Sequence, residues 1–199
     1  MLIKANAKII LASTSQIRKQ ILSSHGISFE AQKPIFDEDS MKHNYSHLQP
    51  SDLALEMAIQ KALSISNNFA DCYVIGSDQA CEFAGQEISK SQNRQQAIDQ
   101  LAKFSGNVHY QNNAVVVVKD SQIIFKNFTK VKLKMRNLTL SQIENYVDFD
   151  QSWGCAGSYK YESLGKHLFE EVDGDYFAVL GLNIQPLISF LHQKNIINI

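Results

Sequence analysis

Residues 9–26, IILASTSQIRKQILSSHG, decide how the rest of the chain is read. Ile9, Ile10, Leu11 and Ala12 form an apolar strand, and the character changes at Ser13-Thr14-Ser15. From there Ile17, Ile21 and Leu22 fall at helical spacing, and Gly26 stands where a helix would stop. A strand that feeds a helix through small hydroxyl residues leaves free backbone N–H groups and a positive dipole end at the junction. That combination favours an anion. Arg18 and Lys19 lie one turn into the helix, within reach of the same anion. An ordinary strand–helix unit capped by serine has the same pattern, so this stretch alone leaves both readings open.

At 199 residues the chain suits one domain, or one domain with two lobes. Its 19 basic and 20 acidic residues nearly cancel, so no global basic field draws it to nucleic acid or a membrane. Lys4, Asn6 and Lys8 interrupt the first apolar residues, and neither a signal peptide nor a bilayer-crossing run is expected. Cys72, Cys81 and Cys155 show no CxxC spacing. Buried thiols in a reducing cytoplasm are the expectation, rather than a disulfide or a zinc site.

Working outward, residues 27–31 alternate as a short strand, and residues 33–39 read as an acidic loop opened by Pro34. His43 and His47 stand four apart in a polar stretch and read as solvated loop histidines. Ser51 and Asp52 can cap a helix through about Ser66 that carries Lys61. Residues 73–76 form a buried-type strand ending at Ser77-Asp78-Gln79, and residues 79–83 read as strand again before a turn at Gly85. Ser89-Lys90-Ser91 leads into a helix over residues 92–104, and residues 108–118 and 122–135 form a long hairpin. Thr139 or Ser141 caps a helix, residues 153–165 are loop, Leu168-Phe169 and residues 176–180 look like strands, and Pro186 starts the last helix. The alternation predicts an α/β fold on a mixed sheet, with ligands beyond the carboxyl ends of strands.

Asp78 is the strongest single candidate for chemistry. A carboxylate just past a buried strand is expensive to hold unless it binds something. Glu38, in the acidic loop, can supply a second oxygen to a hard cation such as magnesium, with substrate phosphates completing the shell. Lys61, Lys90 and Arg18 can offset polyphosphate charge. No Walker A pattern and no GxGxxG occurs, which disfavours P-loop and dinucleotide chemistries.

Five motifs, LASTSQIRKQIL, VIGSDQ, Lys90, AGSYKYESLG and DGDYFAVLGLNIQPL, follow in this order from about Lys8 to Leu191. The ordered set resembles the Maf family of nucleoside triphosphate pyrophosphatases. The resemblance implies one domain over residues 1–199 with the two-lobed Maf-like (inosine triphosphatase-like) fold, helices on both faces of a mixed central sheet, and a homodimer. It implies a hydrolase that uses a divalent cation (Mg, Mn or Co) to cut between the α- and β-phosphates, giving a nucleoside monophosphate and pyrophosphate. By match to the motifs, Ser13, Ser15 and Arg18 hold phosphates, while Glu38, Lys61, Asp78 and Lys90 form the catalytic cluster. Glu38 and Asp78 are the implied metal ligands. Asp78 is either that or the proton acceptor for water, and the two roles are not separable in the sequence.

Three positions bear on the base. Members acting on dTTP and UTP carry arginine, threonine and glutamine where this chain has Ile17, Gln79 and Glu162. SDQ together with AGS-aromatic-K-x-E resembles the subgroup acting on 7-methyl-GTP. A glutamine amide donates to O4 and accepts from N3–H of uracil or thymine. A carboxylate only accepts, which suits the adjacent N1–H and N2–H₂ donors of guanine. Two departures stand out: Ser89-Lys90-Ser91 replaces Gly-Lys-Pro, and Ile17 replaces the tryptophan of the methyl-GTP subgroup. A dTTP/UTP pyrophosphatase, or a nucleotide-binding regulator of cell division with weak hydrolysis, are the alternatives.

Overall fold

The computed structural model describes residues 3–199. The first half of the chain runs β1 (Lys4–Ala5), β2 (Ile9–Ala12), α1 (Gln16–Ser24), β3 (Glu30–Gln32), α2 (Glu38–Asn44), α3 (Pro50–Ser66), β4 (Tyr73–Phe83) and β5 (Gln86–Ile88). It continues with α4 (Arg94–Phe104), β6 (Val108–Lys119), β7 (Gln122–Met135), α5 (Leu140–Asp150) and a 3-10 turn, Leu164–Leu168. The end is β8 (Phe169–Asp173), α6 (Tyr176–Val179), α7 (Ile184–Gln193) and β9 (Ile197–Asn198).

The sheet order is β3-β2-β4-β6-β7-β8, with β5 added to β4. β2 is parallel to both β3 and β4, and the remaining pairings are antiparallel, so the sheet is mixed as expected. The period-two alternation of its strands fills two cores. Ile9, Leu11, Ile75, Val115 and Val117 pack under α1 and α7 on one face. Ile10, Ala12, Val74, Val116 and Val118 pack under α3 on the other. Helices therefore cover both faces. The long strands run on into a second lobe, where Val131, Leu133 and Met135 of β7 meet Ile98 and Leu101 of α4 and Ile143 and Val147 of α5. Strands β1 and β9 pair with each other and tie the two ends of the chain together. Among the described residues no helix is long and apolar enough to cross a membrane.

Several local expectations are corrected. The strand from Tyr73 does not end at Asp78; it continues unbroken to Phe83, because β6 pairs with it as far as Glu82. Residues 176–180 are helical rather than extended. A short apolar run fits either state, and Asp175 decides it by accepting a hydrogen bond from the Ala178 N–H at 2.7 Å. The acidic loop ends at Asp37, which caps α2, and Glu38 and Asp39 form the first turn of that helix, so His43 is helical although exposed. Helix α3 begins at Pro50, a residue whose missing N–H suits a first turn, and not at a cap on Ser51 or Asp52. The strand expected over residues 27–31 is confined to β3, and Leu168 closes the 3-10 turn that leads into β8. Thr139 does cap α5, in a reciprocal box with Gln142.

Candidate active site

On one edge β4 pairs with β2 as far as Ile75, then with β5 from Cys81. Between them residues 76–80 have no strand neighbour on that edge, and the sheet opens there. Gly76 lets α3 close on this window: a Cβ at Gly76 would stand 2.1 Å from the Ala58 carbonyl oxygen and 2.9 Å from Ala62 Cβ. The close crossing brings Lys61, the neighbour of Ala62, against Asp78.

Lys61 Nζ lies 2.7 Å from Asp78 Oδ1 and 3.0 Å from Glu38 Oε2, so one buried ammonium joins two carboxylates from different elements. Asp78 Oδ2 is buried and has no hydrogen-bond partner among the described residues. Burial alone pushes the Asp78 carboxyl up, but Lys61, Lys42 and Arg18 outweigh it and hold it below the usual aspartate range. The residue is an anion, with one oxygen committed and one not.

The junction between β2 and α1 supplies the anion side. Ser15 occupies the cap position of α1, yet its side chain makes no capping bond. Ser13 Oγ instead accepts from the Ser15 N–H at 3.2 Å and from Arg18 Nη1 at 3.4 Å. Arg18 is buried, and its Nε donates to the Gly181 carbonyl at 2.7 Å, which also accepts from Ser77 Oγ at 2.8 Å. Gly181 holds φ +99°, and a Cβ there would come within 3.4 Å of both Arg18 and Gln79. Burial lowers the Arg18 pKa, with Asp78 and Glu38 opposing it; a guanidinium stays charged regardless.

These groups face one cavity of about 200 Å³. The structure brings Ser15, Ile17, Arg18, Glu38, Lys61, Asp78, Gln79, Lys90 and Glu162 to its walls. Ser13 lies beneath, spent on Ser15 and Arg18, and is not among the lining residues. Gln79 Nε2 donates to the carbonyls of Ala178 and Val179, at 3.1 and 2.8 Å, leaving only its oxygen to a ligand. At the far end, residues 154–162 bring Tyr159, Tyr161 and Glu162 to the wall. Gln111 of β6 holds that loop by donating to the Ala156 carbonyl at 3.1 Å and to the Tyr159 hydroxyl at 2.7 Å.

Lys42 was not expected. It follows Glu38 by one helical turn, lines the same cavity and lies 3.5 Å from Glu87. The signal was the four-residue spacing, invisible while the segment read as loop. Tyr159 and Tyr161 carried no separate signal, because aromatic residues in a glycine-punctuated loop serve equally well as core.

A mixed sheet opened at a central strand, with two carboxylates, four cations and a helix N-terminus around the opening, defines an α/β protein that handles polyphosphate esters. The chain belongs to the Maf-like protein family, whose pattern it matches over residues 8–194. It is 34% identical over 196 residues to a nucleoside triphosphate pyrophosphatase of Bradyrhizobium diazoefficiens, covering 98% of this chain and 97% of that one. It is 32% identical over 191 residues to a nucleoside triphosphate pyrophosphatase of Legionella pneumophila, covering 96% of each chain. It is also 32% identical over 194 residues to a 7-methyl-GTP pyrophosphatase of Rhizobium meliloti, covering 96% of this chain and 98% of that one.

Proposed function

We propose that the chain is a nucleoside triphosphate pyrophosphatase that hydrolyses 7-methyl-GTP, or a related modified purine triphosphate, between its α- and β-phosphates. The observation that carries the hydrolytic reading is Asp78: a buried anion whose Oδ1 is held by Lys61 while Oδ2 has no partner among the described residues. A carboxylate oxygen so placed, in a cavity lined by Arg18, Lys42, Lys61 and Lys90, takes a proton from an attacking water while the cations offset phosphate charge. Attack at the α-phosphorus breaks its bond to the bridging oxygen, and pyrophosphate leaves with that oxygen. Ser15 and the free N–H groups of the α1 N-terminus hold phosphate oxygens on the same side.

A divalent cation fits the donor set. Asp78 and Glu38 are hard oxygen donors on two sides of Lys61. Among the described residues no cluster of three or more acidic, histidine or cysteine side chains forms a complete cage, so substrate phosphates would complete the shell. Such an ion, when bound, adds charge stabilisation at the phosphates. Asp78 keeps either role, ligand or proton acceptor.

The base reading is supported by Glu162, an acceptor-only side chain lining the cavity, and by the oxygen that Gln79 leaves free. Both suit the N–H donors of a guanine edge better than the mixed edge of a pyrimidine. A carboxylate also favours a cationic methylated ring. Pyrophosphate release is to be measured over 7-methyl-GTP, GTP, UTP and dTTP with magnesium, manganese and cobalt titrated. Turnover of 7-methyl-GTP above the others is expected, with the preference reduced in Glu162→Gln. A pyrimidine preference that survives Glu162→Gln would remove the base argument. Ligand binding without pyrophosphate under any of the three metals would remove the hydrolytic one.

A further inference from the structure

Lys90 has no regular element of its own. It is exposed, between β5 and α4, and its flanking residues are serines, with wide backbone freedom. Yet one side chain reaches both of its neighbours, the Ser89 backbone directly and the Ser91 hydroxyl through Ser158. Gln100 of α4 donates from Nε2 to the Ser89 carbonyl at 2.7 Å, which fixes which end of its amide is nitrogen. Its Oε1 lies 2.5 Å from Ser158 Oγ, and Ser158 Oγ lies 2.8 Å from Ser91 Oγ.

The proton count sets the direction of this chain. An amide oxygen only accepts, so the Ser158 hydroxyl donates to Gln100 and must accept from the Ser91 hydroxyl. Ser91 and Ser158 are both buried, at 2% and 0% exposure, so neither bond competes with bulk water. Ser158 holds φ +59°, which costs about 1–2 kcal/mol for a residue with a Cβ, and its neighbour Gly157 holds φ +82°. The strained turn is what delivers Ser158 Oγ between the other two groups. The Gly154 N–H closes the ring by donating to the Ser91 carbonyl at 2.8 Å. Residues 89–91 are therefore fastened to α4 at one end and to the 154–162 loop at the other.

We propose that Gln100, acting through Ser158 and Ser91, is the positioning residue for Lys90, and that this clamp does by hydrogen bonding what a proline beside a lysine would do by backbone restriction. The proposal rests on the reading of Lys90 as a cation of the hydrolytic site. It also links the two ends of the cavity, because the loop that carries Glu162 supplies one of the clamp's members.

The test is the kinetics of pyrophosphate release, on 7-methyl-GTP, GTP, UTP and dTTP, for Lys90→Ala, Gln100→Leu, Ser91→Ala and the two double variants with Lys90→Ala. Lys90→Ala is expected to lower kcat about a hundredfold. Gln100→Leu lowers kcat about tenfold with KM within about threefold, since a displaced catalytic group costs rate more than affinity. Ser91→Ala, which removes one hydroxyl, lowers kcat about threefold and serves where Gln100→Leu does not fold. In the Lys90→Ala background both losses vanish, because a positioning residue has nothing left to position. Losses that add to that of Lys90→Ala, or an unchanged kcat in Gln100→Leu and Ser91→Ala beside an impaired Lys90→Ala, overturn the clamp alone. Full turnover in Lys90→Ala overturns the reading of Lys90, and the clamp with it.

Discussion

The side of the cavity proposed to hold phosphate is assembled from regular elements, whereas the side proposed to read the base hangs on one loop, residues 154–162. At the first, Glu38 of α2, Lys61 of α3 and Asp78 of β4 meet as one cluster. At the second, Glu162 is exposed, and the loop behind it is fixed by neutral groups, Gln111, Tyr159 and His109. Lys61 joins two carboxylates on other elements and cannot be removed without stranding a buried one. A side chain such as Glu162, on a loop held from behind, can change without disturbing those carboxylates.

The phosphate end breaks hardest. Asp78→Asn is expected to lower kcat about a thousandfold, by removing a buried carboxylate oxygen that has no hydrogen-bond partner among the described residues. Its fold survives, because Lys61 keeps Glu38 at 3.0 Å. The converse change is different. Lys61→Met leaves Asp78, at 4% exposure, without its hydrogen-bonded counter-ion, and about 3–5 kcal/mol of stability is expected to be lost in urea unfolding. Circular dichroism melts of both variants check the asymmetry. Equal destabilisation would mean that Glu38 is no substitute partner and that the cluster acts as a single unit.

The same contrast explains what could be read from the sequence. Strand β2 follows from its unbroken apolar run, α1 from helical spacing stopped at Gly26, and the fold class from the alternation of such elements, because both faces of the sheet are covered. Asp78 was marked out for the right cost but placed at the wrong kind of position. It lies in the middle of β4, and what opens beside it is the gap between β2 and β5 on one edge. Edge pairing is a property of the whole sheet, and no local window carries it. Lys42 was hidden for a related reason, since a seven-residue helix leaves little period to detect. Glu162 and Gln79 entered only through resemblance to a family. Nothing in the local sequence of β4 says that Gln79 spends both amide hydrogens on α6.

Behind the base loop, burial holds His109 neutral, its pKa pushed down to about 3 from an ordinary value of about 6.5. As pH falls between those values the unfolded chain binds a proton that the folded chain refuses, so stability falls with pH. The wild type is expected to lose about 2 kcal/mol from this group between pH 7 and pH 5, and His109→Gln to lose none of that share. Urea unfolding of both proteins at the two pH values measures it. An identical slope in the variant would show that His109 titrates with little resistance, and that the loop is less firmly backed than its hydrogen bonds indicate.

Tyr159→Phe probes the same backing with the smallest change. The Tyr159 hydroxyl lies 2.7 Å from Gln111 Nε2 and 3.0 Å from His109 Nε2, and both partners are buried. Removing it leaves Gln111 its bond to the Ala156 carbonyl at 3.1 Å, so the loop keeps one of its two ties to that side chain. The cost is that of the two buried hydrogen bonds the hydroxyl makes, about 1 kcal/mol each. If the two ends of the cavity are separable, the loss appears as a rise of at least about fivefold in KM with kcat within about twofold. A fall in kcat as large as the rise in KM would instead mean that loosening the base loop is felt at Asp78. The clamp through Ser158 is the connection by which that would happen, and Tyr159→Phe combined with Ser91→Ala would then show a smaller loss than the two changes summed.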